Sequence, residues 1–333
     1  ALTTAQLSAM AYDQIDAIQT DAVKALSTTQ LRALSADQIR ALEDGAGEQL
    51  TKAQVAALGA GQLEALSTFS TGQIQALTVT QIRSLSEEQL RTMSPTQVGA
   101  LSSTQVQALT SNQLGAVDVL GSQIAKLTTK QLQALSSSQL QAITTDQVAS
   151  LTATQVKALK TDQVGALTEA QVSNLSAGQL RSMTTAQVAN LSTQQIGALK
   201  ANQVSALSTG QLQALTVSQV QSLSDTQFGA LLAGQVVALK TNQIGALNSD
   251  QIGALSATAI AALKTEQVRA LSSGQLQSLS ETQLGALTTT QVRALTADAS
   301  GVGALTGDRL ASLSVAAVKA LTATQLQAMS SSQ

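Results

Sequence analysis

The stretch LSADQIRAL, Leu34 to Leu42, decides how the whole chain is read. Ser35 stands three residues before Gln38, and Ile39 and Leu42 follow three apart. Serine or threonine three residues ahead of glutamine is a capping box. The hydroxyl accepts from the N–H of the third helical residue, and the glutamine side chain turns back to the cap residue's own N–H. The spacing predicts one short helix over Ala36 to Leu42, with Ile39 and Leu42 on one face and Ala41 between them allowing close helix contact. The next cap position follows at once, so the chain turns and starts again.

Outward from this stretch the same eight residues recur, as in KALSTTQL, QALTVSQV and RALSSGQL. Numbered from its alanine, the octet carries Ala first, Leu second, Ser or Thr third, Gln sixth and a β-branched residue or Leu seventh. The second-position anchors run from Leu2 to Leu66, Leu77 to Val117, Leu127 to Leu295 and Leu305 to Met329. Three joints, STFSTGQ, VDVLGSQ and TADASGVG, break the register near 67–76, 118–126 and 296–304. The octet EDGAGEQL, Glu43 to Leu50, is degenerate but keeps count. Such self-similarity predicts a stacked-repeat architecture in place of ordinary globular domains, and residues 1–333 read as one solenoid.

Two other conformations fail on the pattern. In a strand, the second and seventh positions would face opposite sides, with Gln beside Leu. In one continuous helix, eight residues turn roughly 800°, so the apolar stripe would advance about 80° per octet and wind around every face. Short capped helices remain. Seven helical residues span roughly 10 Å, and helices under about 12 residues are marginal alone. Two buried apolar side chains contribute about 1.5–3 kcal/mol each, against about 12 kcal/mol for ordering an octet at roughly 1.5 per residue. Neighbouring octets must therefore supply the rest cooperatively. The expectation is an elongated all-α solenoid, one helix per octet, with a Leu/Val/Ala core and positions three, four, five and eight outside. Two octets per superhelical turn, or three or more, fit the sequence equally. The joints are expected to bulge outward at corners, where insertions disturb a core least. Phe228, at a seventh position, reads as a large core residue; Phe69 sits in the first joint.

Composition narrows the function. The chain is 44% hydrophobic, 1% aromatic and 11% charged, with no Cys, His or Trp and a formal charge of −2. That balance offers no polybasic field for nucleic acid or anionic lipid, and polar residues in every octet preclude a membrane span. Without His or Cys the commonest catalytic triads cannot form, so no catalytic site is expected. Serines sit at caps. Asp21, Asp37, Asp146, Asp162 and Asp250 sit in first helical turns, where negative charge favours the helix dipole. No cofactor or metal site is expected, since soft and imidazole ligands are absent. Glu43, Asp44 and Glu48 form the one local acid–glycine cluster, read as a degenerate turn with adventitious calcium binding as the alternative. GALTGDRL and GVGAL lack a phosphate-binding loop's Gly-Lys-Ser/Thr ending. Lys160, Lys200 and Lys240 recur at third positions as the trace of duplication. The chain starts ALTTAQ, without an initiator Met or a signal segment, and reads as a processed product or fragment.

Two resemblances follow from these motifs. LTxxQVxAL resembles the first helix of the repeats in transcription-activator-like DNA-binding effectors. The likeness covers that helix alone: those repeats are over four times longer and carry base-reading residues on a loop that this octet lacks. Over nearly its whole length the chain is similar to very long bacterial proteins built of ALTTxQVxAL octets, commonly labelled haem-utilisation or adhesion proteins. That resemblance implies a secreted or surface-attached, adhesin-like or matrix-forming product. It carries no haem site over, because His and Cys are absent and Tyr12 and the methionines match no haem motif.

The expected function is a non-enzymatic structural protein, secreted or on the cell surface, serving as spacer, adhesive stalk, matrix or filament subunit. The alternative is a binding scaffold for a protein, glycan or ice surface. Neither terminal octet looks like a polar cap. Leu2 and Leu321 are expected to lie in uncovered end layers, through which copies associate end to end or the array continues.

Overall fold

The computed structural model describes residues 2–46, 50–66, 69–115 and 122–333, apart from the side chains of 43–46 and 122–123. The chain divides into two compact units, Ala1–Leu167 and Thr168–Gln333, and each is an all-α solenoid. Among the described residues there are 37 α-helices, two short 3-10 helices and no strand. Thr128, Ser136, Thr144 and their counterparts cap helices such as Thr129–Ala134, Ser137–Ala142 and Thr145–Ser150 through the expected box.

Most helices are shorter than the seven residues expected. They run five or six, as in Thr209–Ala214 and Val217–Gln221. In the six-residue helices the second-position leucine is already extended, at φ −60° and ψ 140° in Leu215, and the next cap, Thr216, is extended too at φ −71° and ψ 162°. Two extended residues therefore make each corner. Helix Ala36–Ala46 departs in the other direction, running past Leu42 to a total of 11 residues. Glu43 replaces the hydroxyl residue there, so no competing cap stops one helix and starts the next.

The core follows the octet's two anchors. Seventh-position residues such as Val148, Val188, Phe228 and Ile252 are wholly buried, and second-position leucines nearly so. Phe228 is a core residue, as its place in the repeat predicts. Helices pack on those three octets further along: Ser137–Ala142 on Thr161–Ala166 in the first unit, Ala233–Ala238 on Ala257–Ala262 in the second.

The sixth-position glutamine also has a role beyond the cap, which the sequence reading did not anticipate. It is buried in nearly every interior octet, with Gln62 and Gln97 half-buried. In the second unit, Gln211 Oε1 accepts from Ser208 N–H at 2.8 Å. Its Nε2 meanwhile donates to the carbonyls of Leu180 and Met183, both at 2.8 Å, 31 and 28 residues back. Gln163 does the same in the first unit, to Leu132 at 2.9 Å and Leu135 at 2.8 Å. Packing reaches forward three octets and the amide reaches back four, so a superhelical turn takes between three and four octets. The staggered fit lets one amide claim the second-position carbonyl, which the short helix cannot satisfy itself, and add a second donor to the seventh-position carbonyl, which already accepts from the second-position N–H.

The joints adjust this turn in different ways. Around the first, Gln81 and Gln89 reach back 26 and 23 residues, in place of the 31 and 28 of Gln105. The insertion thus stands in for a whole octet and tightens the turn. Phe69 is 3% exposed, and its carbonyl accepts from Gln97 Nε2 as a second-position leucine would. The expected outward bulge is wrong at this joint, because an aromatic side chain supplies the buried volume of the missing helix. The second joint falls largely on 116–121, outside the described residues; beyond it the 3-10 helix Ser122–Lys126 packs against Pro95–Ala100 and Thr145–Ser150. At the third, Thr296, Asp298, Ala299 and Ser300 are exposed, and Gln325 reaches back 33 and 30 residues. That joint does bulge outward.

Removing Gln211 leaves the Ser208 N–H and the Met183 carbonyl without partners, while the Leu180 carbonyl keeps the Met183 N–H, and each buried unsatisfied group costs about 1–3 kcal/mol. Losing a capping hydroxyl costs about 1 kcal/mol. Gln211→Ala should therefore lower the urea midpoint well beyond Ser208→Ala. Equal losses would reduce the glutamine to a capping residue.

Candidate functional site

The residues singled out for chemistry are dispersed. Asp21, Asp37, Asp146, Asp162 and Asp250 are all exposed and lie in first helical turns. Asp37 meets Arg40 at 3.2 Å, an exposed pair within one helix of the kind worth under about 1 kcal/mol. Glu48 and the side chains of Glu43 and Asp44 lie outside the described residues. Among the described residues no three of His, Cys, Asp and Glu come close enough to hold a metal ion. No described helix is long and apolar enough to cross a membrane. Tyr12 is 41% exposed at the start of helix Tyr12–Asp16, while Met93 and Met183 are buried second-position residues.

Lys160, Lys200 and Lys240 are exposed N-caps. Lysine cannot accept the cap hydrogen bond, yet each backbone N–H still donates to its glutamine, at 3.0, 2.6 and 2.7 Å. Within the second unit Lys200 and Lys240 lie five octets apart, well over one turn and well short of two. They point to different sides and make no stripe.

The eighth position is structural, contrary to its expected place on an indifferent outer coat. Gln133 and Gln141 donate to Ala158 and Ala166 carbonyls at 2.6 and 3.0 Å, 25 residues ahead. Arg181 and Arg269 do the same in the second unit, each at 3.1 Å. Where the eighth residue is glycine the backbones close up instead: a Cβ on Gly245 would stand 3.0 Å from the Ala270 carbonyl oxygen. An octet with Gln or Arg at its eighth position can thus be tied backward by its sixth residue and forward by its eighth. The signal was in the sequence, since Gln, Arg, Lys and Gly recur at that position, but exposure alone gave no reason to expect a partner.

What remains outside is Ser, Thr, Ala and short polar residues, interrupted by a few local features. Arg40, Glu64 and Glu88 line an open depression of 550 Å³ in the first unit. In the second, Arg309 replaces the sixth-position glutamine and its guanidinium still reaches the Leu279 carbonyl, but its Nε is buried without a partner. The third joint is knotted around Asp298, whose Oδ1 accepts from Thr296 Oγ1 at 2.7 Å and from the Ser300 backbone N–H at 2.9 Å. Ser300 Oγ also donates to it, at 2.5 Å. Gly301 is required there, for a Cβ would fall 2.1 Å from the Thr296 carbonyl oxygen.

Comparison with known families places this geometry. A family model described as the ALTTAQ repeat matches residues 15–45, 87–118, 122–153, 172–209, 204–241, 233–265 and 260–297, well over half of the chain. No curated protein matches it.

Two predictions test the local readings. Gln141→Ala, which breaks the forward tie, should cost about 0.5–1.5 kcal/mol, a typical net hydrogen bond, measured by chemical denaturation; no loss would return the eighth position to the coat. At the third joint, the Ser300 side chain, then Thr296 and the Ser300 N–H, lower the Asp298 pKa from 3.8 to about 2. A carboxylate with a depressed folded-state pKa stabilises above its unfolded value and loses that contribution as pH falls through the folded one. The Ser300 amide should stay protected from hydrogen exchange at pH 4 and lose protection toward pH 2, and Asp298→Asn should abolish the change.

Proposed function

We propose, on the premise that this chain belongs to the ALTTAQ repeat family, that it is a non-enzymatic structural protein built to stack. It serves as a secreted or cell-surface spacer, adhesive stalk, matrix or filament subunit. One observation carries the reading: in most octets the second-position carbonyl that ends a helix takes its hydrogen bond from a glutamine four octets later, so an octet is completed by octets that follow it. A fold made this way has no natural last member. Apolar side chains exposed in the first and last described octets support this reading: Val315 is 71%, Leu326 54%, Val318 44% and Leu2 46% exposed. Further octets of the same kind cover such a layer best, whether in the same polypeptide or in a second copy, and contacts of that sort propagate without closing.

The even coat of short polar side chains supports a structural role further. It hydrates well and offers many weak hydrogen bonds, and the aromatic and arginine anchors of a binding hot spot are sparse on it. The adhesion label carried by similar octet proteins fits this reading; a haem role finds no support, since His and Cys are absent and Tyr12 and the methionines match no haem motif. The depression lined by Arg40, Glu64 and Glu88 favours the second reading, a binding scaffold, because it departs from the consensus coat.

Electron microscopy and sedimentation velocity separate the two. The structural reading expects linear assemblies that lengthen with concentration. It also expects Leu2→Asp combined with Leu326→Asp to leave dispersed single chains; Leu326 is the better target at that end, being more exposed than Leu321. A chain that stays monomeric at every concentration would favour the scaffold.

A further inference from the structure

We propose that Asn174 and Asn190 are acceptors for an N-linked saccharide, transferred from a diphosphate-activated sugar. This modification goes beyond the structural role and stands whether or not copies stack.

The chain has six asparagines, and two of them open the triplet Asn-x-Ser/Thr, as Asn174-Leu175-Ser176 and Asn190-Leu191-Ser192. That triplet is the signal for attaching a sugar to an asparagine amide. Both asparagines take the first octet position, alanine in most octets, and the third-position serine completes the signal. Asn112, Asn202 and Asn242 stand at fifth positions, where Gln and an apolar residue follow. Asn248 is an N-cap with Asp250 two residues on. All six are exposed, so the triplet, and not exposure, separates the two from the four.

The corners that carry them suit a bulky addition. Asn174 and Asn190 are C-caps, at φ −97° and −91°, of the helices Glu169–Ser173 and Thr185–Ala189. Those helices pack on Thr193–Gly197 and Thr209–Ala214, where the corresponding first-position residues, Ala198 and Ala214, are small. Asn174 Nδ2 donates one hydrogen to the Ala170 carbonyl at 2.8 Å. An amide nitrogen carries two. Transfer removes the other as a proton and joins Nδ2 to the sugar's anomeric carbon. The bond from that carbon to the diphosphate breaks, and the diphosphate leaves with the electron pair. The hydrogen that remains keeps the bond to Ala170, so the folded corner accepts the product.

The fold also sets the order of events. Leu175 and Leu191 are buried, and their carbonyls accept from Gln203 and Gln219 Nε2, both at 2.6 Å. The Ser176 and Ser192 hydroxyls act as caps, accepting from the Gln179 and Gln195 N–H groups at 3.2 and 3.0 Å. A transferase must read each triplet before the later octets close over it, so modification precedes folding of these octets.

Mass spectrometry of peptides from the full chain, isolated from the cells that make it, tests the proposal. Peptides holding Asn174 and Asn190 should carry added saccharide mass, and those holding Asn112, Asn202, Asn242 and Asn248 should carry none. In the same cells Ser176→Ala should remove the mass at Asn174 and leave that at Asn190. Ser176→Thr, which keeps a hydroxyl for both signal and cap, should retain it. Asn174 and Asn190 found bare would overturn the proposal, as would saccharide that survives Ser176→Ala or appears alike on Asn202 and Asn242. Each of those results leaves the stacking role standing, because sedimentation reads that role separately.

Discussion

The buried side-chain amide of the sixth-position glutamine is the constraint on which the rest of this structure depends. A helix of five or six residues has almost as many unpaired backbone groups as paired ones. The octet repairs both ends with one side chain: the oxygen takes the N–H at the start of its own helix, and the nitrogen takes the carbonyls at the end of another helix four octets earlier. The amide suits the task because it carries an acceptor and two donors on one planar group. Turn length follows, since the reach of that side chain fixes how far apart in sequence stacked helices lie.

Substitutions within the array rank its parts. The cap residue tolerates replacement: Gly59, Lys264 and Leu232 have no capping hydroxyl, and the glutamine still holds their N–H groups at 3.0, 2.9 and 2.8 Å. The glutamine is replaced more rarely and with visible adjustment. Ala259 keeps a capped helix through Ser256 at 3.1 Å but has no amide to reach back. Arg309 reaches back but cannot accept from the Thr306 N–H, and its own Nε is left over. The joints obey the same constraint, shifting the reach of the following glutamines while the bridge itself persists.

Fold class was legible in the sequence because the capping box and the buried pair of apolar anchors are local patterns, and LSADQIRAL contains both. Helix length was overstated, for nothing in the octet says that its second-position leucine is extended instead of helical. Glu43 carried the signal that one helix would run on, through the missing hydroxyl. The count of octets per turn was not legible, because it depends on a partner some thirty residues away that the period alone does not identify. Phe69 hid for a related reason: an aromatic in a joint has no repeat position from which burial can be read. On the functional side, the acids sit in first helical turns as their octet position predicts, and the eighth residue's forward tie was missed because its acceptor is a backbone carbonyl.

The claim that the glutamine nitrogen, and not only its oxygen, holds the solenoid together is tested most directly by Gln211→Glu within the array, followed by denaturation at pH 7 and pH 4. Glutamate preserves the cap but sets a buried carboxylate against the Leu180 and Met183 carbonyls. Burial beside acceptors raises its pKa and favours the neutral acid, so the variant's stability should rise as pH falls. The account predicts a large loss of stability at pH 7, partly recovered at pH 4 relative to the unmodified chain. A variant as stable as the unmodified chain at pH 7 would contradict it.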